Sequence, residues 1–268
     1  MNVPTLLIVY AGLIGLAVGS FLNVCTLRWP EEQSVVRPPS RCPGCGSGIA
    51  WYDNVPVLSW LILRGKCRTC GEPISPQYPA VEFVTGCIWA GMLAVHGVEP
   101  EALRGALFLT ILFGISITDA RFYIIPDEFS VGGAVLGFAL ALMPGGIDWI
   151  PSLTGAAIGF FGMWGVGKGG TLLVKATNPE RLEEAGVDSA LGFGDVKMMG
   201  MVGAFVGWQG VLLTVFLGSV FALVVFGAIS AITKRLIPLG IFLAMGAAVA
   251  YGYGDAIIAW YQTSVLGV

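Results

Sequence analysis

Residues 4–25 read PTLLIVYAGLIGLAVGSFLNVC, a stretch without a single charged side chain. A helix needs roughly 20 mostly apolar residues to cross the hydrocarbon of a bilayer, so this stretch is long enough to span it. It is also too long for the apolar core of a signal peptide, and no basic residue precedes it. We therefore expect it to remain in the protein as the first transmembrane helix.

The composition indicates that most of the chain, like residues 4–25, lies in a membrane. Apolar residues make up 56% and charged residues 12% of the 268 residues, and the mean hydropathy is +0.81. A soluble domain is about half apolar and a quarter charged, so a soluble fold is excluded. We predict an all-α polytopic membrane protein with about eight transmembrane helices. The other seven apolar runs lie at about 80–97, 102–118, 129–144, 150–168, 196–208, 211–232 and 236–255.

The basic residues predict the orientation of these helices. If the N-terminus is outside, 13 of the 14 Lys and Arg residues fall on the cytoplasmic side, and only Arg104 is left outside. The chain then divides into a first helix (1–25), a cytoplasmic loop that we call the tetracysteine loop (26–79), and a helical core (80–268). The core is expected to carry further cytoplasmic loops at 119–128 and 169–195.

Four cysteines of the tetracysteine loop have the spacing of a metal site: Cys42 and Cys45 form one Cys-x-x-Cys pair, and Cys67 and Cys70 form a second. Two such pairs are typical of a structural four-thiolate zinc site. Gly44, Gly46 and Gly71 lie where the tight turns of such a site need glycine. Disulfide or redox-active cysteines are the alternative, which a reducing cytoplasm disfavours. A closed four-thiolate site has no open position for water, so we expect the zinc to be structural.

Catalysis must then come from other residues. His96 is the only histidine and lies in a short predicted extracytoplasmic link. Serine-histidine and histidine-metal proteases are therefore excluded, and acid–base chemistry falls to carboxylates. Ionisable residues in or beside a membrane helix are functional-site hypotheses, and three carboxylates qualify: Glu82, Asp119 and Asp195.

Asp119 ends the third predicted span and Asp195 opens the sixth, so both lie at the same depth near the cytoplasmic face. Two adjacent carboxylates share a proton, which allows one to act as base toward water and the other as acid. Gly192 and Gly194 would let a substrate strand approach the backbone closely. The pattern indicates a two-carboxylate peptidase.

A structural interpretation of the same residues remains open. Asp195 would cap a helix, and Asp119 would pair with Arg121 or Lys197 at the interface. Asp127 lies at the predicted start of the fourth helix, and we assign it a structural or positioning role rather than catalysis.

Seven fragments in order carry a resemblance over most of the chain: Gly19–Val24, Ser40–Cys45, Trp51–Trp60, Cys67–Cys70, Tyr78–Thr85, Asp119 with Ile125–Asp127, and Gly192–Lys197. Together they resemble the bacterial type IV prepilin peptidases, the leader peptidase and N-methyltransferase family. The catalytic aspartates of the family correspond to Asp119 and Asp195. The tetracysteine loop makes the chain similar to the bifunctional members.

The resemblance implies the reaction and its setting. Such an enzyme removes the leader of prepilins or pseudopilins, of type IV pili or type II secretion, at the cytoplasmic face of the bacterial inner membrane. It then methylates the new N-terminus with S-adenosylmethionine. The resemblance makes Glu82 a candidate for holding the substrate or its amine, and the alternative is an interfacial carboxylate paired with Arg or Lys. The expected partners are these substrates and the lipid bilayer, without nucleic acid.

Two other classes of protein explain part of the pattern. A presenilin-like intramembrane protease would share the Gly-x-Gly-Asp element, but it would not explain the tetracysteine loop, and Thr118 stands where such a protease has tyrosine. A non-enzymatic membrane scaffold with a zinc knuckle would explain the loop and the spans. It would give no reason for two aspartates, Asp119 and Asp195, at the same depth near the membrane face.

Overall fold

The computed structural model describes residues 3–143, 146–177, 188–229 and 238–267. Within these ranges the secondary structure is helical, and β-structure is limited to two isolated bridges. The all-α fold class is confirmed. Part of the predicted loop 169–195 lies outside these ranges, as do Arg181, Lys234 and Arg235, which contribute to the predicted orientation.

Eight α-helices occur in the described part of the chain: α1 Thr5–Arg28, α2 Leu58–Ile62, α3 Gln77–His96, α4 Pro100–Phe122, α5 Asp127–Leu140, α6 Trp149–Thr177, α7 Phe193–Ile229 and α8 Leu239–Tyr261. Two 3-10 turns, Trp29–Glu31 and Trp51–Asp53, lie in the tetracysteine loop, and a π-helical turn, Gln262–Leu266, follows α8.

Six of these helices, α1, α3, α4, α6, α7 and α8, are long and apolar enough to cross a membrane. The count of eight spans stays a prediction, because two predicted segments, 196–208 and 211–232, meet in one helix, which the structure describes through Ile229 and which has a kink at Gly207. Gly207 has φ 69°, a conformation that favours glycine. Helix α5 has 14 residues and is about 21 Å long, shorter than the roughly 30 Å of the hydrocarbon.

The chain divides into two compact units, Met1–Thr110 and Ile111–Val268. In the first unit α1 and α3 pack with their backbones close together. A Cβ on Gly15 would lie 2.8 Å from the Thr85 carbonyl oxygen, and one on Gly19 would lie 2.7 Å from the Glu82 Cα. Glycine suits such a contact, because lipid gives no hydrophobic drive between helices and close packing must supply the attraction.

The second unit is built around α7, which packs against α5, α6 and α8. A Cβ on Gly155 would collide with the Gly203 carbonyl oxygen, and one on Gly159 would collide with the Met199 carbonyl oxygen. The Ser152 hydroxyl donates to the Ala204 carbonyl oxygen at 2.8 Å. Helices α6 and α7 are therefore held by backbone contact and a buried hydrogen bond.

Helices continue into both predicted cytoplasmic segments of this unit, 119–128 and 169–195, whose location stays a prediction. Helix α4 continues through Phe122 and ends where Tyr123 adopts a positive φ of 56°. Helix α5 then begins at Asp127 directly after Pro126, as the sequence predicts. Helix α6 continues to Thr177. Nothing between Asp119 and Phe122 breaks a helix, so the helical hydrogen bonds extend beyond the apolar run.

Candidate functional site

The four cysteines of the tetracysteine loop lie on two similar turns. In the first, the Cys42 N–H donates to the Ser47 carbonyl and the Gly46 N–H donates to the Cys42 carbonyl, each at 2.9 Å. In the second, the Cys67 N–H donates to the Glu72 carbonyl at 2.8 Å and the Gly71 N–H donates to the Cys67 carbonyl at 2.9 Å.

The glycines of the two turns fit their predicted roles in part. Gly46 and Gly71 have φ values of 70° and 75°, so both positions require glycine. Gly44 does not have a positive φ. A Cβ there would lie 3.1 Å from the Glu72 Cγ, so Gly44 instead leaves room for the Glu72 side chain.

The turns bring the four thiols together as the spacing predicts. One ligand atom from each of Cys42, Cys45, Cys67 and Cys70 lies within 4.8 Å of the others. The Cys42 and Cys70 Sγ atoms are 3.8 Å apart. Tetrahedral zinc with Zn–S bonds of about 2.3 Å places its sulfurs about 3.8 Å apart, so the donor set and its size fit Zn²⁺.

The pKa values of the thiols also fit a site that needs a bound cation. Hydrogen bonds with Ser47 lower the pKa of Cys45 to about 6, which favours its thiolate. The Glu72 backbone N–H favours the thiolate of Cys70, but burial and the neighbouring thiols outweigh it and raise the pKa of Cys70 to about 12. Four thiolates cannot form side by side unless a bound cation offsets their repulsion.

An ion pair links the second turn to the preceding part of the loop. Arg68 contacts Asp53 with a shortest distance of 2.6 Å, and its guanidinium lies 5.6 Å from the ring centre of Tyr52. The hydrogen bond from Arg68 lowers the pKa of Asp53. Asp53 therefore supports the loop through Arg68.

Glu82 occupies a structural position in the first unit. Its side chain is 8% exposed, and its Oε2 accepts a hydrogen bond of 2.6 Å from the Val57 N–H. The Ser20 hydroxyl provides a second hydrogen bond. Val57 has φ 61°, an uncommon conformation for a β-branched residue. Among the described residues, Glu82 is paired with backbone and hydroxyl groups and not with Arg or Lys, and it holds a strained turn of the tetracysteine loop.

Asp119 is buried in the second unit and held by the beginning of α8. Asp119 is 6% exposed, and the Ile241 N–H donates to its Oδ2 at 3.1 Å. The backbone of Gly240 provides a further hydrogen bond. A Cβ on Gly240 would lie 2.7 Å from the Asp119 Oδ2. Gly240 and Ile241 are site residues that the sequence analysis missed, because no local motif links them to Asp119.

Asp195 lies in the first turn of α7 and is partly buried. The negative charge of Asp119 acts on Asp195, so the two carboxylates are electrostatic neighbours. A Cβ on Gly192 would lie 3.0 Å from the Asp195 Oδ2, and one on Gly194 would lie 3.2 Å from the Ile125 Cβ. Gly192 thus accommodates the Asp195 carboxylate, and Gly194 accommodates the buried Ile125.

Asp127 and Lys197 form an ion pair of their own. The Lys197 Nζ lies 2.5 Å from the Asp127 Oδ1, and the Asp127 side chain is exposed. The lysine also lies 5.1 Å from the centre of the Phe193 ring. In the structure, Lys197 is therefore the partner of Asp127, and this pair joins the first residue of α5 to the beginning of α7.

These observations define a class: a polytopic helical membrane protein with a four-thiol cluster that could hold a metal ion in one unit, and with a buried and a partly buried carboxylate that interact in the other. Two family descriptions match the sequence. The Bacterial Peptidase A24 N-terminal domain matches residues 13–96, and the Type IV leader peptidase family matches residues 106–227. The chain belongs to the type IV leader peptidase family, which confirms the resemblance seen in the sequence fragments.

Curated relatives named prepilin leader peptidase/N-methyltransferase agree with this membership. A Bacillus subtilis (strain 168) protein is 30% identical over 95% of this chain and 98% of its own length. A Klebsiella pneumoniae protein is 35% identical over 77% of this chain and 88% of its own length. A Myxococcus xanthus (strain DK1622) protein is 39% identical over 76% of this chain, but the match spans only 57% of the relative. No solved structure matches the chain significantly.

Proposed function

We propose that this protein is a bifunctional membrane enzyme that removes the leader of type IV prepilins or pseudopilins and methylates the new N-terminus. The observation that carries the proposal is the electrostatic interaction of Asp119 with Asp195, two carboxylates in the segment that matches the peptidase family. Membership in that family, together with the gathered thiols, favours it over a presenilin-like protease. The neighbouring carboxylates favour it over a scaffold.

In the proposed cleavage, Asp119 and Asp195 share one proton. The ionised carboxylate takes a proton from water as the water oxygen attacks the scissile carbonyl carbon, and the protonated one donates its proton to the carbonyl oxygen. The tetrahedral intermediate then collapses, its C–N bond breaks, and the leaving nitrogen receives the proton that the base took. The products are a leader carboxylate and a free N-terminal amine.

The surroundings of Asp119 support this role. The Ile241 N–H and the Gly240 backbone fix the orientation of its carboxylate, so little reorganisation is needed at the moment of reaction. Asp195 is less buried, and it is the nearer of the two to solvent.

The second proposed reaction transfers a methyl group to the new amine. S-adenosylmethionine supplies that group from its sulfonium centre, and the amine must lose a proton. Glu82 is our candidate for holding the amine and receiving the proton, because it is a buried carboxylate of the first unit. In this role the amine would replace the Ser20 hydroxyl as a hydrogen-bond partner of Glu82, while the Val57 N–H keeps its bond to Oε2.

We assign the four thiols to a structural Zn²⁺ that holds the tetracysteine loop in shape. The site would have four protein ligands and no position for water, so it would stabilise the loop without taking part in either reaction. We place the enzyme in the inner membrane of a bacterium with both carboxylates near the cytoplasmic face, where prepilins are synthesised. The distribution of Lys and Arg supports this orientation.

The experiment that tests the bifunctional assignment uses purified protein, a prepilin and labelled S-adenosylmethionine. We expect leader loss and methyl transfer to the shortened product. A second substrate, supplied already cut and with a free N-terminal amine, should be methylated by the Asp195→Asn protein, because the two reactions use different residues. If that folded variant fails to methylate the cut substrate, one site serves both steps and the division proposed here is wrong.

A further inference from the structure

The short helix α2 in the tetracysteine loop has one attached face and one open apolar face. On the attached face, the Ser59 hydroxyl donates to the Tyr52 carbonyl at 2.9 Å, and the Trp60 Nε1–H donates to the Ile74 carbonyl at 3.0 Å. The open face carries Leu58, Leu61 and Ile62, which are 56%, 58% and 68% exposed. These three side chains follow the i, i+3, i+4 spacing of a single helix face.

The depth of α2 relative to α3 follows from one hydrogen bond. Val57, the residue before α2, donates to Glu82, which lies five residues after the first residue of α3. At about 1.5 Å per residue, Glu82 is about 8 Å along the helix axis. Helix α3 has 20 residues and is about 30 Å long, so it needs its whole length to cross the hydrocarbon. The beginning of α2 therefore lies at the boundary between headgroups and hydrocarbon, or on the hydrocarbon side of it.

The surroundings of α2 fit a lipid environment. Phe83, the neighbour of Glu82 on the spanning helix α3, is exposed, so α3 presents an apolar side chain at the depth of Glu82. Trp51, in the turn that Ser59 holds, is also exposed, and tryptophan is enriched where membranes meet water. Arg64 and Lys66 follow α2 directly and are exposed, so they can reach anionic headgroups.

We propose that the open face of α2, made of Leu58, Leu61 and Ile62, inserts into the acyl boundary of the bilayer and docks the tetracysteine loop onto the membrane surface. The occupant is lipid, for two reasons on the molecule itself. The hydrogen bond to Glu82 fixes the depth of α2, and the exposed Phe83 indicates that α3 presents apolar side chains to lipid at that depth. This inference concerns an interaction surface and does not depend on the peptidase proposal.

The test uses the unmodified protein in nanodiscs of phosphatidylethanolamine and phosphatidylglycerol. One sample is photolabelled with a lipid-soluble diazirine and a second with a water-soluble diazirine, and modified residues are mapped by mass spectrometry. Phe83 is the internal reference for lipid contact. Glu72, an exposed charged residue on the second cysteine turn, is the reference for water. The zinc content of both samples verifies that the loop is folded.

We expect the lipid-soluble reagent to modify Leu58, Leu61 and Ile62 several-fold more than Glu72 and to a degree similar to Phe83. The water-soluble reagent should show the reverse preference. Labelling of the α2 face by the water-soluble reagent at the level of Glu72 would overturn the proposal. Protection of this face from both reagents would also overturn it, since a second copy of the chain or another protein would then cover α2.

Discussion

Replacing Gly240 with alanine should move the Asp119 carboxylate without unfolding the protein. An added Cβ would lie 2.7 Å from the Asp119 Oδ2 and 3.1 Å from the Ile125 Cδ1. Ordinary contact needs about 3.5 Å, so the carboxylate must retreat by about 0.8 Å. The closest atom is the far end of a side chain, which can give way more easily than backbone can.

The expected result is a selective loss of activity. A shift of about 1 Å in a catalytic group can cost on the order of 100-fold in rate, so cleavage by Gly240→Ala should fall by about 10- to 100-fold. Alanine is better than glycine by up to about 1 kcal/mol in a helix, and the part of this gain that applies at the second residue of α8 should offset some of the steric cost. The free energy of unfolding should therefore change by less than about 1 kcal/mol.

The assay is the initial rate of prepilin cleavage in detergent, with thermal unfolding measured on the same samples. The matched control is Gly252→Ala on the same helix, where an added Cβ meets nothing within 4 Å. The control should cleave at the original rate. Equal losses in both variants would point to a general effect on α8, and an unchanged rate in Gly240→Ala would refute the claim that Asp119 must hold this position.

Three further predictions concern metal, packing and orientation. The purified protein should contain about one zinc per chain, and replacing Cys42 and Cys45 together with serine should release it; full retention by elemental analysis would reject the site. Gly159→Ala should lower the free energy of unfolding by about 1–3 kcal/mol, because its Cβ collides with backbone. Gly162→Ala, on the same helix with open space around the Cβ, should be neutral or stabilising, and equal unfolding midpoints would contradict this packing argument. An impermeant reagent should label a cysteine placed at Glu99 in intact cells. Protection of that cysteine would show that the predicted orientation is inverted.

Features set by local sequence could be predicted. The two Cys-x-x-Cys turns follow from residue spacing and from glycine at positions with positive φ, and the structure gathers their thiols. The start of α5 at Asp127 follows from the preceding proline. Each of these depends on fewer than about a dozen neighbouring residues, the range over which capping and turn rules act.

Features set by distant contacts could not be predicted. Ile241 is 122 residues from Asp119 along the chain, and its N–H carries no sequence signal for this hydrogen bond. The bond from Val57 to Glu82 is missed for the same reason, since a backbone donor can belong to any residue except proline. Helix α7 joins the predicted spans 196–208 and 211–232 through Gln209 and Gly210, and the sequence does not reveal this connection, because a polar residue between two apolar runs fits a continuous helix and a loop alike.

The most direct test of the account is prepilin cleavage by Asp119→Asn and Asp195→Asn. Asparagine keeps the size of aspartate but cannot exchange the shared proton, so each variant should fold, retain zinc and lose nearly all cleavage. The double variant should be little worse, because residues that act as a unit are not additive. Asp127→Asn is the control: it breaks only an exposed ion pair with Lys197, worth about 0–1 kcal/mol, and should retain measurable turnover. Cleavage that survives in Asp119→Asn or Asp195→Asn but is abolished in Asp127→Asn would contradict the account.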